Sequence, residues 1–229
     1  MKRNRHAGKR LSSGFGLNIL SSQDIEEIHL ATLEVLADHG VFVEDEQALE
    51  VYHSGGARID RSKKMVRLPN YLVEEAVRSA PASIRLAGRR PQDDVLLESS
   101  RVGFTNFGAG IQIVDPYTDE VREPTKKDLA DVARVIDAMS EVDVFEKAVG
   151  ATDVPQEIGP LHYAEAFLPN TTKHCFSGPD SGDLLRRLVR MGQAVVGGPE
   201  AFRDRPLLSF ITCPVSPLKL VQDLCEIVM

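Results

Sequence analysis

From Thr125 onward the sequence alternates between two periodicities, and that alternation restricts the fold more than any other feature of the chain. Val144 to Val149 reads as a buried strand, Gln156 to Phe167 as a helix, Thr172 to Ser177 as a strand, Ser181 to Val196 as a helix, and Leu207 to Thr212 as a third strand. Strand–helix units at this spacing need crossover connections, which are right-handed and generate a parallel sheet. The region opens on Thr125-x-x-Asp128, the spacing of a capping box, ahead of Leu129, Val132, Ala133, Ile136 and Met139 on one helical face. Three such units suit either an open doubly wound sheet or the first part of a (β/α)8 barrel of TIM type. A complete barrel takes ~250 residues, so the roughly 100 residues after Thr125 supply less than half of one.

The last unit raises the question of completeness. Leu207-Leu208-Ser209-Phe210-Ile211-Thr212 runs into Cys213-Pro214-Val215-Ser216-Pro217, where Ser216 is placed to cap a helix and Pro217 to occupy its first position. The expected helix carries Leu218, Val221, Leu224, Cys225 and Val228 on one face, and no Gly, Asn or Pro closes it before Met229. The reading is a fold cut short, with open strand edges that favour association or partial melting.

Ahead of Thr125 the pattern is mixed. A basic tail, residues 1–20, carries Lys2, Arg3, Arg5, Lys9 and Arg10, with a linker at Ser12 to Gly16. Ser21 or Ser22 can cap a helix bearing Ile25, Ile28, Leu33 and Leu36, ended by Gly40. A short strand at Val41 to Val43, a helix from Glu46 to His53, a hairpin around Asp60 to Lys64 and a helix from Pro69 to Ala80 follow. Short strand candidates then crowd together at Ile84 to Ala87, Val95 to Glu98, Val102 to Phe107 and Ile111 to Val114. The expected organisation is a tail over 1–20, an α+β region over 21–124 and the beginning of a barrel over 125–229.

Composition narrows the partners. With 42% hydrophobic and 27% charged residues and a formal net charge of −7, the 229-residue chain lacks the overall basic balance that nucleic acid or an anionic membrane calls for. No apolar core follows the basic tail to make a secretory signal, and no window is long enough to span a bilayer. Cys175, Cys213 and Cys225 form no Cys-x-x-Cys pair and cannot all pair with one another, so they read as reduced thiols in the cytoplasm.

Loops at the ends of parallel strands are where α/β folds carry their chemistry. Here they hold Thr152 and Asp153, then His174 and Ser177, then Cys213 and Ser216. Each also has a structural reading: Asp153 as a helix start, Ser216 as a cap, His174 as a hydrogen-bonded core histidine. A zinc site from His174, Cys175 and Cys213 fits no recognised ligand spacing, so no metal site is assigned. Gly103-Phe104-Thr105-Asn106-Phe107-Gly108-Ala109-Gly110 lacks the Gly-Lys-Ser/Thr ending of a phosphate loop. Its glycines suit a tight turn or close backbone approach, while Phe104 and Phe107 pack, line a pocket or face a quaternary ammonium.

Taken in order, several of these segments resemble the trimethylamine:corrinoid methyltransferase family, which also includes methyltransferases for glycine betaine and related quaternary amines. The marks are Thr32-Leu33-Glu34-Val35-Leu36, Gly108-x-Gly110 followed by Asp115-Pro116 and Val121-Arg122, and the Asp128 to Asp137 helix. Asp153-Val154-Pro155, Asn170-Thr171-Thr172-Lys173-His174, Gly197-Gly198-Pro199-Glu200 and Cys213-Pro214-Val215-Ser216-Pro217-Leu218 complete the set. The resemblance implies a (β/α)8 barrel that moves a methyl group from a methylated amine, trimethylamine first, to the cobalt of a corrinoid held by a separate protein. It implies no cofactor bound by this chain itself, a homo-oligomer when the chain is complete, and a pyrrolysine position, where one exists, beyond Met229. The pocket candidates it places are Asn106, Gly108, Gly110, Asp153, His174 and Ser216, with no catalytic steps assigned. A non-catalytic half-barrel that assembles with another chain is the competing expectation.

Overall fold

The computed structural model of the protein describes residues 19–98 and 101–229; the linker and most of the basic tail lie outside the described residues. The chain divides into two compact units, one of residues 19–81 with 212–229 and one of Ala82–Ile211.

In the first unit, α1 (Ser22–Glu34) starts at Ser21, whose hydroxyl accepts from the Asp24 amide while the Asp24 carboxylate accepts from the Ser21 amide, a complete capping box. It continues as a π-helical turn over Val35–His39 and stops at Gly40, where φ is +78° and a Cβ would collide with the Val66 carbonyl. Leu33 is buried, but Ile25 and Ile28 stand more than half exposed, because α1 meets the core of its unit only through its last turns. β1 (Val41–Val43), α2 (Glu46–Ser54), the hairpin of β2 (Arg58–Asp60) and β3 (Met65–Arg67), and α3 (Asn70–Ser79) follow close to the expected bounds.

In the second unit, β4 (Ser83–Leu86) and β5 (Val95–Glu98) form one antiparallel pair, and β6 (Ile113–Val114) and β7 (Val121–Arg122) another. From α4 (Lys126–Ala138) the alternation begins: β8 (Val144–Glu146), α5 (Gly159–Phe167), β9 (His174–Ser177), α6 (Gly182–Val196), α7 (Pro199–Asp204) and β10 (Leu208–Phe210). The Thr125–Asp128 capping box is formed in full, and Ser181 caps α6. β8, β9 and β10 make a parallel sheet in the order β10-β9-β8. Leu129, Ala133, Phe145, Ala164, Phe167, Cys175, Leu188 and Leu208 belong to the core between that sheet and its helices.

Among the described residues the sheets are open, and none closes into a barrel.

One expected strand takes a different form. Val102 to Phe107 is not a regular strand; with the residues after it, it runs beside β8 as a parallel lane held by single bridges, Thr105 to Val144 and Gly110 to Val149. The Asn106 side chain replaces part of the backbone ladder. Its Oδ1 accepts from the Glu146 amide at 2.9 Å and its Nδ2 donates to the Glu146 carbonyl at 2.8 Å, as a neighbouring peptide group would.

The N-terminal end of the parallel sheet is tied by charge. Buried Lys173 donates to the carbonyls of Ile136 and Met139 at the end of α4, satisfying acceptors that a helix terminus leaves free. Arg205 bonds Asp94 and the Gly88 carbonyl, and Arg90 pairs with Asp93.

The end of the chain corrects the sequence reading. Ser216 caps no helix: β11 (Lys219–Leu220) pairs in parallel with β1, and α8 (Gln222–Val228) begins only after it, with Val221 at the cap position. Pairing with β1 takes Lys219 and Leu220 into a strand within the span that periodicity reads as a helix, and Leu218 adopts φ +49°. Of that face only Leu224 and Cys225 are buried, in the core of the first unit with Val43, Leu49 and Val66. Its sheet runs β11-β1-β3-β2.

Candidate functional site

Pleating sorts the side chains of the parallel sheet, because successive strand residues point to opposite faces. Phe145, Cys175 and Leu208 are in register across β8, β9 and β10, and all three are buried in the core shared with the helices. The Phe145 ring lies 5.4 Å from that of Phe167 on α5. Glu146, Phe176 and Ser209, the next residues in each strand, are likewise in register and form a row on the face turned away from the helices. Neighbouring strands lie about 4.8 Å apart, so a carboxylate, an aromatic ring and a hydroxyl stand side by side.

The lane beside β8 extends this row. Gly108 lies directly against the Glu146 carboxylate, and a Cβ there would overlap its Oε1 and carboxyl carbon. The Asn106 amide pins the Glu146 backbone at both its N–H and its carbonyl. Gly110 donates to the Ala148 carbonyl at 2.8 Å and its own carbonyl accepts from Gly150. An open pocket of about 320 Å³ follows at the C-terminal end of β8, lined by Gly110, Lys147, Thr152, Gln156 and Tyr163. Lys147, next to Glu146 in sequence, holds its ammonium 5.2 Å from the Tyr163 ring centre.

His174 opens β9 on the same face as the row, at the N-terminal end of the strand, and is 1% exposed. Its Nδ1 lies 3.0 Å from the Ala87 carbonyl, which can only accept, so Nδ1 carries the proton. Nε2 then accepts from the Ser209 hydroxyl at 2.6 Å. Burial pushes the imidazole below the ordinary histidine range, opposed by the Ala87 bond. The histidine is therefore held neutral and orients Ser209. Cys175, on the other face, is fully enclosed, and burial pushes its thiol up to about 12, which leaves it unreactive.

The remaining sequence candidates lie elsewhere. Asp153 accepts from the Lys126 amide at 2.8 Å and so serves the first turn of α4. Ser216 is exposed in the loop before β11, in the other compact unit. The structure thus gathers Asn106, Gly108, Gly110 and His174 around one sheet face of the second unit, and puts Asp153 at the start of a helix. Glu146 and Phe176 escaped the sequence reading, although a glutamate inside the apolar Val144 to Val149 run was the available signal. Among the described residues no group of three or more His, Cys, Asp or Glu stands close enough to hold a metal ion. No helix among them is long and apolar enough to cross a membrane.

A parallel βα sheet with helices on one face and a polar and aromatic row on the other defines an α/β fold with one face free to carry a site. Residues 5–229 match the family described as trimethylamine methyltransferase (MTTB), and the chain belongs to that family. It is 42% identical over 223 residues to trimethylamine methyltransferase MttB of Desulfitobacterium hafniense (strain DSM 10664 / DCB-2), covering 97% of this chain and 45% of that protein. It is 32% identical over 235 residues to trimethylamine methyltransferase MttB of Methanosarcina thermophila, covering 100% of this chain and 48% of the relative. A glycine betaine methyltransferase of Desulfitobacterium hafniense (strain Y51) is 26% identical over 204 residues, covering 88% of this chain and 42% of the relative. The chain spans about half the length of the curated relatives it matches.

Proposed function

We propose that the chain contributes to an enzyme that removes a methyl group from a methylated amine, trimethylamine first, and passes it to a corrinoid held by a separate protein. The reduced cobalt of that corrinoid supplies the nucleophile, so this chain need not provide one. The tasks left to its own residues are to hold the methyl donor, orient its C–N bond and keep water away. The 42% identity to a trimethylamine methyltransferase over nearly the whole chain carries this reading. Three parallel strands with a fourth lane beside them, and the helices α4, α5 and α6 on one face, support the further proposal that the sheet begins a (β/α)8 barrel, with the opposite face turned to its interior.

On this reading the strands present Glu146, Phe176 and Ser209 inward, while His174 holds the row from the N-terminal end of β9 on the same face and Asn106 from the side. The match to a glycine betaine methyltransferase favours a second reading, in which the donor is a quaternary amine of that type. One assay separates the two. The complete protein carrying this sequence is mixed with a reduced corrinoid protein and one donor at a time, and methylation of the corrinoid is followed by its absorbance. Transfer from trimethylamine and not from glycine betaine is expected; transfer from glycine betaine alone moves the assignment to the second reading, and transfer from no methylated amine refutes both.

A further inference from the structure

The carboxylate at the β8 end of the row has a surrounding that its strand alone does not explain. Val144 to Val149 is otherwise an apolar stretch but for Lys147, and Phe145 beside Glu146 is completely buried. Glu146 itself is half-buried on the opposite face, in register with the Phe176 ring. Its backbone is clamped on both sides by the Asn106 amide, and the lack of a side chain at Gly108 leaves room for the carboxylate. The basic residue next to it, Lys147, is turned by the pleat to the other face, where its ammonium sits over Tyr163. The groups that share the Glu146 face, Phe176, Ser209, His174 and Val144, bring no positive charge, since His174 is buried, which disfavours its charged form, and its Nε2 accepts from the Ser209 hydroxyl. Among the described residues no side chain donates a hydrogen bond to the carboxylate.

An unpaired carboxylate on a pinned backbone, beside an aromatic ring, is a combination suited to an alkylated ammonium ion. The carboxylate supplies the opposite charge, and the ring offers a polarisable apolar surface to N-methyl groups that cannot donate hydrogen bonds. We propose that Glu146 is the counter-charge for the ammonium of the methyl donor, with Phe176 as the neighbouring wall and Asn106 and Gly108 as positioning residues. This deepens the methyl-transfer reading and rests on it for the identity of the ligand.

The chemistry dictates a particular kinetic signature. As the donor's C–N bond breaks and the methyl group passes to cobalt, the bonding pair returns to nitrogen and the positive charge there disappears. A carboxylate next to that nitrogen therefore favours the bound donor more than the transition state, and its loss falls on KM rather than on kcat.

The experiment uses the complete protein, with tetramethylammonium as the probe in calorimetry without corrinoid, so that no methyl group can be transferred, tert-butanol as a neutral probe of similar size, and steady-state transfer from trimethylamine to a reduced corrinoid protein. Glu146→Gln is expected to weaken tetramethylammonium binding and to raise KM by roughly 30-fold or more, with a much smaller change in kcat and none in tert-butanol binding. Glu146→Asp keeps the charge and is expected to retain most of the affinity. Phe176→Leu is expected to weaken tetramethylammonium binding by roughly 3- to 10-fold. Wild-type affinity for tetramethylammonium in Glu146→Gln, or equal loss in Glu146→Gln and Glu146→Asp, overturns the assignment while leaving methyl transfer intact. Glu146-dependent binding of tetramethylammonium by a wild-type protein that transfers methyl from no amine overturns the methyl-transfer reading instead and sustains the cation site.

Discussion

The two faces of the parallel sheet are built from adjacent residues of the same strands, yet they obey different rules. Toward the helices, Phe145, Cys175 and Leu208 are buried among apolar neighbours, and the thiol among them is chemically silent. Toward the other side, Glu146, Phe176 and Ser209 keep polar and aromatic groups accessible; Ser209 is positioned by its hydrogen bond to His174, and the Glu146 backbone by those it makes with the Asn106 amide. The first face contributes stability by excluding water. The second spends some of that stability on holding groups in chosen positions, which packing alone does not do.

The comparison is most exposed to failure at Phe145. Truncation of Phe145 to Ala, which empties the helix-facing core, is expected to cost about 3–5 kcal/mol in urea denaturation, whereas Glu146→Gln one residue away is expected to cost less than about 1 kcal/mol. Similar losses at the two positions would erase the distinction between the faces.

His174 tests whether the accessible face also has a structural floor. Replacing it by Ala strands the Ala87 carbonyl and removes a fully buried ring, with an expected cost of about 2–4 kcal/mol. Its titration has a definite sign. The folded imidazole has a lowered pKa, so between that value and the ordinary value of about 6.5 the unfolded chain binds more protons than the folded one. Stability is then retained above about pH 6.5 and falls as pH drops below it. His174→Ala should remove that component of the slope; an unchanged slope between pH 7 and 5 would show that the histidine is not held neutral.

A smaller effect is expected at the start of α4, on the helix side. The Arg122 guanidinium and the Thr125 cap hold the Asp128 carboxyl well below the usual carboxylate range. Asp128→Asn should cost about 1–2 kcal/mol near neutrality. Because the folded pKa is depressed, the wild-type advantage is present above about pH 4 and is lost as pH falls through the folded value. An advantage that persisted in acid would mean that shape, not charge, carries the interaction.

The smallest expected effect concerns thiol reactivity. Cys213 is exposed whereas Cys175 and Cys225 are buried, so an aromatic disulfide reagent should titrate one thiol quickly in the native protein and three after unfolding. Fast reaction of Cys175 would show that the helix-facing side opens.

Much of the architecture could be read before any coordinates were known. The capping boxes at Ser21 and Thr125, the α6 cap at Ser181 and the alternation of β8, β9 and β10 with their helices are local, since each depends on residues within a turn or two of one another. The family was legible too, through the order of its motifs, and residues 5–229 match it. The end of the chain was misread because Lys219 and Leu220 take their conformation from β1, some 175 positions earlier, a partner that periodicity does not see.

The sequence by itself determined most of the helices and strands between Ser21 and Phe210, and that the later half is a parallel βα sheet. Only the tertiary structure decided that Glu146, Phe176 and Ser209 form one row, that Asn106 mimics a strand beside them, and that His174 supports the row from the N-terminal rather than the C-terminal end of its strand. Local structure follows from neighbours along the chain. Register between strands follows from hydrogen bonds made across it, and the row of side chains exists only once that register is set.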